Sequence, residues 1–413
     1  MNLIKLSVKN ALAKPLSSLL SIILFAFGVA VIISIILTSS VLKEEISKNA
    51  KGIDLVVGAK GSPLQIILSS IFHVDFPTGN ITLKDANDLS KNRFISSAIP
   101  MSLGDSYKGY RIVGTTSDYL DLYNGVVKEG KFFDVDMEAV VGAKVAEILQ
   151  IEIGQKLESS HGLSEGGGAH EETPFEVVGV LEPSGNVIDQ LIFVSVPSVW
   201  KVHESHEEDD HGHQHSDTSF LLPKMNFNVT EAQLEHESIT SMLVQYRSPM
   251  AAVQLPRIVN KTSNLQAASP AYETARLFSI IGVGVEVVNI LGLVIVIISA
   301  SSIFIALLNS LKERKYELAI MRSLGASRIK IFLLILLEGF FLTICGLFAG
   351  FLLAHGGFVL LINALPELSI SKTFFDQQEI VIIASGVIIG LVASLVPSIM
   401  AYRSDISETL AKA

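Results

Sequence analysis

Four apolar stretches constrain the fold of this chain more than any other feature. They run from Leu16 to Leu42, from Ser279 to Leu311, from Ile331 to Ile362 and from Ile380 to Tyr402. About 20 consecutive apolar residues are enough for a helix to cross a bilayer. Only 17% of the 413 residues are charged, whereas about a quarter are charged in an average soluble protein. The sequence therefore predicts a membrane protein with four transmembrane α-helices, one before and three after a large intervening segment.

The distribution of basic residues predicts the orientation of these helices. Eleven of the 31 Lys and Arg residues lie in three short segments, 5–14, 312–330 and 403–412. Short loops rich in Lys and Arg stay in the cytoplasm. We therefore expect both termini to be cytoplasmic and residues 43–278 to be extracytoplasmic.

Residues 43–278 carry the acidity of the chain. They contain 19 Lys and Arg against 32 Asp and Glu, a net charge of −13. This charge argues against nucleic acid as a partner, since phosphate-binding surfaces need clustered cations. Strand-like and helix-like patterns alternate here, which predicts an α+β domain. Expected strands include 53–61, 110–120, 174–183 and 189–197, and expected helices include 83–91, 138–150 and 230–239.

Two common enzyme motifs are absent from the sequence. The chain lacks a phosphate-binding GxxxxGK[ST] loop and an HExxH zinc motif. A single cysteine, Cys345, lies inside an apolar run, which excludes a disulfide within the chain. We therefore assign no catalytic residue and no bound cofactor, and expect the protein not to be an enzyme.

A histidine-rich run stands out in the acidic segment. Seven of the ten His residues lie between 161 and 215. Imidazole and carboxylate groups together suit Zn²⁺, but the spacing follows no fixed ligand pattern, so a solvated charge run is the alternative. The candidate metal ligands in the insertion, at about 203–217, are His203, His206, His211, His213 and His215.

Two features of the apolar regions have more than one interpretation. Residues 1–15 read as an amphipathic helix in the cytoplasmic headgroup layer, or as a frayed cationic leader. Glu338 lies inside the third apolar stretch, where a charge is costly, and suits a structural contact or, alternatively, proton transfer.

The third apolar stretch also contains regularly spaced glycines. Gly339, Gly346 and Gly350 form a stripe that favours close helix packing, including at a dimer seam.

The loop between the second and third apolar stretches carries the most specific pattern, LKERKYELAIMRSLGASRIKIF at 311–332. Leu318, Ile320, Met321 and Leu324 predict one apolar helix face, opposite a charged face. Gly325 is expected to end the first helix and Ser327 to cap the next. A short amphipathic helix of this kind suits docking into a groove of a partner protein.

This loop resembles the coupling segment of the FtsX/MacB-type ABC transporter permeases, whose pattern is close to ERxxEIGxxRAxGAS. Leu318 departs mildly from that pattern. The first apolar stretch, the final PSIMAYRSDISETLA segment and the 129–182 region resemble the same family, and residues 54–81 are similar to one of its subgroups. The residues that match the coupling pattern are Glu313, Arg314, Glu317, Arg322, Gly325 and Ala326.

The resemblance implies a domain order and a function. It implies an interfacial helix (1–15), a first transmembrane helix (16–42), a MacB-like periplasmic domain (43–278), an FtsX-like permease domain (279–402) with a coupling loop at about 312–330, and a cytoplasmic tail (403–413). Such permeases reside in the bacterial inner membrane, pair with a second permease copy and bind a separate ABC ATPase. They transmit the motion of the ATPase to the periplasm.

Three points stay open in the sequence. A lipoprotein-releasing or lipid-handling permease is one alternative, with an acylated protein or another periplasmic partner. A membrane-anchored metal sensor that uses the histidine-rich run is the other. No sequence pattern identifies the cargo or indicates whether the dimer consists of two identical chains.

Overall fold

The computed structural model describes residues 3–13, 15–161, 173–204, 219–262, 264–364 and 377–403. These residues form two units, one of residues 1–42 and 280–413 and the other of residues 43–279. Both boundaries fall inside long helices. The helices are α1 (Leu3–Ala13), α2 (Pro15–Asn49), α3 (Pro63–Ser70), α4 (Leu83–Ser90), α5 (Ser117–Leu122), α6 (Ala143–Leu149), α7 (Val196–Glu204), α8 (Glu231–His236), α9 (Ala251–Thr262), α10 (Pro270–Glu313), α11 (Lys315–Ser323), α12 (Arg328–Ala364) and α13 (Gln377–Arg403).

Four of these helices are long and apolar enough to cross a membrane, namely α2, α10, α12 and α13. The predicted number and order of spans is therefore confirmed. At 1.5 Å per residue, the 44 residues of α10 reach about 66 Å, more than twice the thickness of a hydrocarbon core. Helices α2 and α10 thus extend well past the apolar stretches that the sequence marks.

Glycines bring the membrane helices into close contact. A Cβ atom at Gly339 would lie 2.5 Å from the Ser394 side chain of α13. At Gly350 it would lie 2.7 Å from the Ala26 carbonyl oxygen of α2, and Gly346 faces Phe25 of the same helix. The glycine stripe of α12 therefore mediates the close helix packing that the sequence predicts, and its partners are α2 and α13 of the same chain.

Helix α1 packs on α12. The Ser7 hydroxyl donates a hydrogen bond to the Leu334 carbonyl oxygen at 3.1 Å, and Ala11 is buried in the core of the membrane unit. Lys5 and Lys9 lie on exposed positions of the same helix. Residues 3–13 therefore form a helix that packs one face against α12. Lys5 and Lys9 lie on another face, as the sequence predicts.

The second unit is built on a mixed β-sheet. Its strands run in the order β15-β1-β14-β3-β4-β10-β6-β9-β5, with β7 paired to β9 and β8 paired to β3. The strands are β1 (Leu55–Ala59), β2 (Ile81–Thr82), β3 (Ile95–Tyr107), β4 (Tyr110–Thr115), β5 (Val127–Gly130), β6 (Glu138–Val141), β7 (Lys156–Leu157), β8 (Ser160–His161), β9 (Phe175–Leu181), β10 (Ile192–Ser195), β11 (Phe220–Leu222), β12 (Phe227–Val229), β13 (Ser238–Ile239), β14 (Ser241–Tyr246) and β15 (Leu265–Ala268).

Strand β3 joins the two halves of this sheet. Its first half pairs with β14, and its second half pairs with β4, with a register irregularity between Leu103 and Ser106. A bulge of this kind bends a strand and increases its twist. Buried side chains form cores on both halves. The α+β fold expected for this segment is confirmed.

Residues 138–150 differ from the helix that the sequence predicts. Glu138–Val141 form β6, paired between β10 and β9, and helix α6 begins only at Ala143. Val140 and Val141 are β-branched, and such residues suit a strand that is paired on both sides. Gly142 separates the two elements, and a Cβ there would lie 2.3 Å from the Ile188 carbonyl oxygen.

The pairing of β5 with β9 requires glycine at position 130. Gly130 has a φ of +81°, and a Cβ there would lie 2.1 Å from the Val178 carbonyl oxygen. Left-handed backbone costs an L-residue about 1–2 kcal/mol before any clash. We expect Gly130→Ala to lower the free energy of unfolding of the full chain by at least about 2 kcal/mol, measured by denaturant titration in detergent.

The matched control is Gly104→Ala. Gly104 lies in β3, where an added Cβ meets nothing within 4 Å. This variant should unfold within about 0.5 kcal/mol of the wild type. Equal stability of the two variants would contradict the close approach at Gly130.

Candidate functional site

The loop between α10 and α12 folds into a short helix with defined ends. Helix α11 spans Lys315–Ser323, and Arg314 separates it from α10. Gly325 ends it with a φ of +97°, a conformation that favours glycine. The Gly325 N–H donates a hydrogen bond to the Arg322 carbonyl oxygen at 3.0 Å. Ser327 accepts a hydrogen bond from the Lys330 N–H at 3.3 Å at the start of α12.

Helix α11 has an inner face and an outer face. Leu318 and Ala319 are buried. Tyr316, Ile320 and Leu324 are exposed, and Leu324 keeps 83% of its surface accessible. These three residues, which we call the apolar stripe, follow each other at intervals of four and therefore lie on one side of the helix. The single apolar face expected from the sequence is thus split, with Leu318 turned inward and Ile320 and Leu324 turned outward.

Arg314 turns toward the interior of the membrane unit. Its Nη2 atom donates a hydrogen bond to Oδ1 of Asn10 in α1 at 2.5 Å. Nη1 lies 3.9 Å from Oε2 of Glu338 in α12, and Nε lies 3.5 Å from Oε2 of Glu317. One guanidinium group therefore contacts three different helices, α1, α11 and α12.

Glu338 is the buried partner in this cluster. Only 6% of its surface is accessible, and the Ser310 hydroxyl of α10 donates to its Oε1 at 3.5 Å. A carboxylate inside a membrane span is costly unless it faces a partner group. Glu338, Arg314, Asn10 and Ser310 line a cavity of about 70 Å³. This environment suits a structural ion pair, which we call the Arg314–Glu338 cluster.

The six predicted coupling residues have different positions. Glu313 is the exposed last residue of α10, and Glu317 lies in the first turn of α11. Arg322 is half-buried in its last turn, and Ala326 donates its N–H to the Met321 carbonyl oxygen at 3.0 Å. Sequence reasoning missed Asn10 and Ser310, because nothing near them in the sequence signals a contact with Arg314 or Glu338. Sequence reasoning also did not place Tyr316 on the exposed apolar side of α11.

Of the predicted metal ligands, only His203 lies among the described residues. It occupies the last turn of α7, with Nε2 3.5 Å from Oδ2 of Asp105. The interaction with Asp105 raises the pKa of His203, Glu237 acts in the same direction, and partial burial opposes both. His206, His211, His213 and His215 lie outside the described residues. Within the described ranges, no group of three or more His, Cys, Asp or Glu side chains could hold a metal ion.

Residues 54–81 form β1, α3 and a loop held by hydrogen bonds to its backbone. Arg111 donates to the Asp75 carbonyl oxygen at 2.9 Å, and Gln65 donates to that of Phe76 at 3.0 Å. His73 is buried 3.0 Å from the Tyr119 hydroxyl. Burial, and secondly Arg111, lower the pKa of His73 to about 3, so it stays neutral. The loop is fixed, and it leaves Phe76 exposed.

Comparison with known proteins gives two family matches. Residues 18–255 match the family described as MacB-like periplasmic core domain, and residues 289–406 match the family described as FtsX-like permease C-terminal. No curated protein sequence matches the chain significantly.

Two solved structures are similar to part of the chain. The periplasmic region of MacB from Actinobacillus actinomycetemcomitans aligns with 56% of this chain and 97% of its own, at 14% identity and a TM-score of 0.33. The extracellular domain of the noncanonic ABC-type transporter YknZ from Gram-positive bacteria aligns with 52% of this chain and 99% of its own, at 14% identity and a TM-score of 0.31.

The Arg314–Glu338 cluster predicts a measurable coupling energy. We expect Arg314→Met and Glu338→Met each to lower the free energy of unfolding, because each leaves an uncompensated charge. The double variant should lose less than the sum of the two. In a double-mutant cycle, measured by unfolding in mixed micelles, the coupling should be about 1–3 kcal/mol.

A second cycle on the same arginine provides the control. Glu317 keeps 68% of its side chain accessible, and exposed ion pairs contribute little. The Arg314–Glu317 coupling should therefore stay near or below about 0.5 kcal/mol. Equal coupling in the two cycles would contradict a special role for the buried carboxylate.

Proposed function

Since this chain belongs to the FtsX/MacB-type ABC transporter permeases, we propose that it couples ATP hydrolysis on a separate ATPase subunit to movement of its extracytoplasmic domain. The chain is a multi-pass membrane protein with an extracytoplasmic domain between its first and second spans. In this proposal it performs no chemistry itself. The ATPase binds at α11, and the chain transmits the resulting motion.

The apolar stripe on α11 is the observation that carries this proposal. Tyr316, Ile320 and Leu324 are exposed on a short helix whose opposite side is buried. An amphipathic helix that presents anchors at i, i+4 and i+8 fits an apolar groove of a partner protein. Exposed Lys315 and Glu317 flank the stripe and provide a charged rim, as protein interfaces typically have.

The anchoring of α11 supports a mechanical role. Arg314 connects the start of α11 to α12 through Glu338 and to α1 through Asn10. A force applied to α11 therefore acts on several helices at once. The boundary between the two units falls inside α2 and α10, so both connections are helical. Helices are stiff over this length, which suits the transmission of motion along them.

The same proposal includes orientation and partners. Cations in residues 5–14, 312–330 and 403–412 favour a cytoplasmic location of both termini and of α11. The location would be the inner membrane of a bacterium. A second permease copy would cover part of the apolar surface of α10, where side chains such as Ile290, Leu291 and Ile298 are exposed.

One observation favours a second function, the handling of a lipid or an acylated protein. An open apolar groove of about 510 Å³ lies between α2 and α10. Its lining is mostly apolar, and three of the ten lining residues carry hydroxyl groups, namely Ser34, Thr38 and Ser39. A groove of this composition fits an acyl chain. The groove and the apolar stripe are separate sites, so one function does not depend on the other.

The apolar stripe predicts the effect of a single charge. We expect Leu324→Glu to abolish co-purification of the cognate ATPase and stimulation of its hydrolysis, because a carboxylate would be desolvated in the partner's groove. Leu324→Met should retain both. The measurement is ATPase activity of the reconstituted complex, with membrane insertion checked by fractionation.

The control places the same charge on exposed apolar surface elsewhere. Val135 is exposed in the second unit, and Val135→Glu should leave ATPase binding unchanged. Normal ATPase stimulation by Leu324→Glu would refute docking through the stripe.

The groove predicts the effect of filling it. Gly284 lines the groove, whereas Gly282 does not, and a Cβ at either position meets nothing within 4 Å. Gly284→Phe should reduce crosslinking of the chain to a photoactivatable phospholipid several-fold, and Gly282→Phe should not. Equal crosslinking in both variants would argue against the lipid-handling function and would leave ATPase coupling untouched.

A further inference from the structure

An apolar cavity of about 200 Å³ lies between α1 and α12, on a different pair of helices from the groove between α2 and α10. The proposed ATPase coupling does not use this cavity. Two lysines, Lys9 of α1 and Lys330 of α12, belong to the same two helices. We propose that the cavity holds an acyl chain of an anionic phospholipid and that the two lysines bind the phosphate of its head group.

The lining of the cavity suits an acyl chain. Helix α12 supplies four residues, and the last three lie three, four and seven positions after the first, so that all four share one face of the helix. Helix α1 supplies the opposite wall. The apolar residues of the lining are Ile4, Val8, Leu337, Phe340, Phe341 and Ile344.

The polar group in this lining is already hydrogen-bonded. Ser7 is the one polar residue of the described lining, and its hydroxyl donates to the Leu3 carbonyl oxygen at 2.9 Å and to the Leu334 carbonyl oxygen at 3.1 Å. An apolar cavity of this kind stays dry and takes up apolar molecules. Ile4 keeps 65% of its surface accessible and Ile344 keeps 39%. Because α12 is also long and apolar enough to cross a membrane, an acyl chain can enter the cavity from the bilayer.

The two lysines lie where the head group of such a lipid would be. Lys9 directly follows Val8 on α1. Lys330 precedes Leu337 by seven residues, or about two turns, so it shares the face of α12 that lines the cavity and lies about 10 Å further along the axis. Both lysines are exposed, and within the described ranges neither ammonium group has an ion-pair partner. Lysines of two helices beside an apolar cavity form the kind of basic pocket that binds anionic head groups.

The charges around the cavity favour a lipid with a net negative charge. Helix α1 contains no acidic residue, and Glu338, the one acidic residue of α12, is buried and faces Arg314. The amine of a zwitterionic head group would therefore add a third cation beside the two lysines, without a carboxylate to pair with. The head group of phosphatidylglycerol has no amine, so its phosphate can contact both lysines without this repulsion.

The test compares two photoactivatable lipids on the full chain, without any ATPase. The chain is reconstituted in phosphatidylcholine vesicles that contain a trace of photoactivatable phosphatidylglycerol or of photoactivatable phosphatidylcholine. Peptide mapping should locate the phosphatidylglycerol label in residues 3–13 and 337–344, at least about tenfold above the phosphatidylcholine label. Lys9→Gln combined with Lys330→Gln should remove this difference, because both charges beside the phosphate are lost.

The matched control is Lys312→Gln combined with Lys315→Gln. These two lysines are also exposed, but they do not line the cavity, so the variant should retain the preference for phosphatidylglycerol. Ile4→Trp changes an exposed residue of the lining and should fill the cavity. We expect it to lower phosphatidylglycerol labelling several-fold.

Two results would overturn the proposal. Equal labelling by the two lipids in the wild type would mean that unselected bilayer lipid covers the cavity. Unchanged labelling after the combined change of Lys9 and Lys330 would mean that these lysines bind no head group. Gly284→Phe, which fills the groove between α2 and α10, should leave this labelling unchanged and so separates the two sites. Because the assay contains no ATPase, its result is independent of the proposed coupling.

Discussion

The position of α11 depends on the neutralisation of one buried carboxylate. Glu338 lies inside α12 with 6% of its surface accessible, and such a charge is costly in a bilayer unless it is paired. Arg314 at the end of α10 provides the opposite charge, and Ser310 and Asn10 complete the polar surroundings. Because Arg314 is also the junction before α11, the ion pair connects the start of that helix to α12.

Close helix packing extends this constraint through the membrane unit. Gly346 and Gly350 of α12 meet α2, Gly339 meets α13, and Gly28 of α2 meets Ile295 and Val296 of α10. Small residues allow the backbones to approach and increase van der Waals contact, the main attraction between helices in lipid. In the proposed function, a force at α11 would act on a tightly packed set of helices, two of which continue beyond the span.

Much of the fold could be predicted from the sequence. The spans are determined by local composition, since about 20 apolar residues have few alternatives to crossing a bilayer. Strands such as β1 and β9 were also predicted, because β-branched residues are bounded by turn residues. Residues 138–150 were predicted incorrectly as one helix. Their first four residues become a strand because β10 and β9 pair with them on both sides, a tertiary effect without a local signal.

The sequence by itself determined that this chain is a membrane protein with one plus three spans, an acidic α+β domain between the first two, and a short amphipathic segment that ends at Gly325. Each of these follows from residues close together in the chain. Only the tertiary structure decided that Arg314 points inward, that Ile320 and Leu324 point outward, and that Asp105 meets His203. Arg314 and Asn10 are 304 residues apart. Contacts across such distances depend on how helices and strands pack, which local periodicity does not encode.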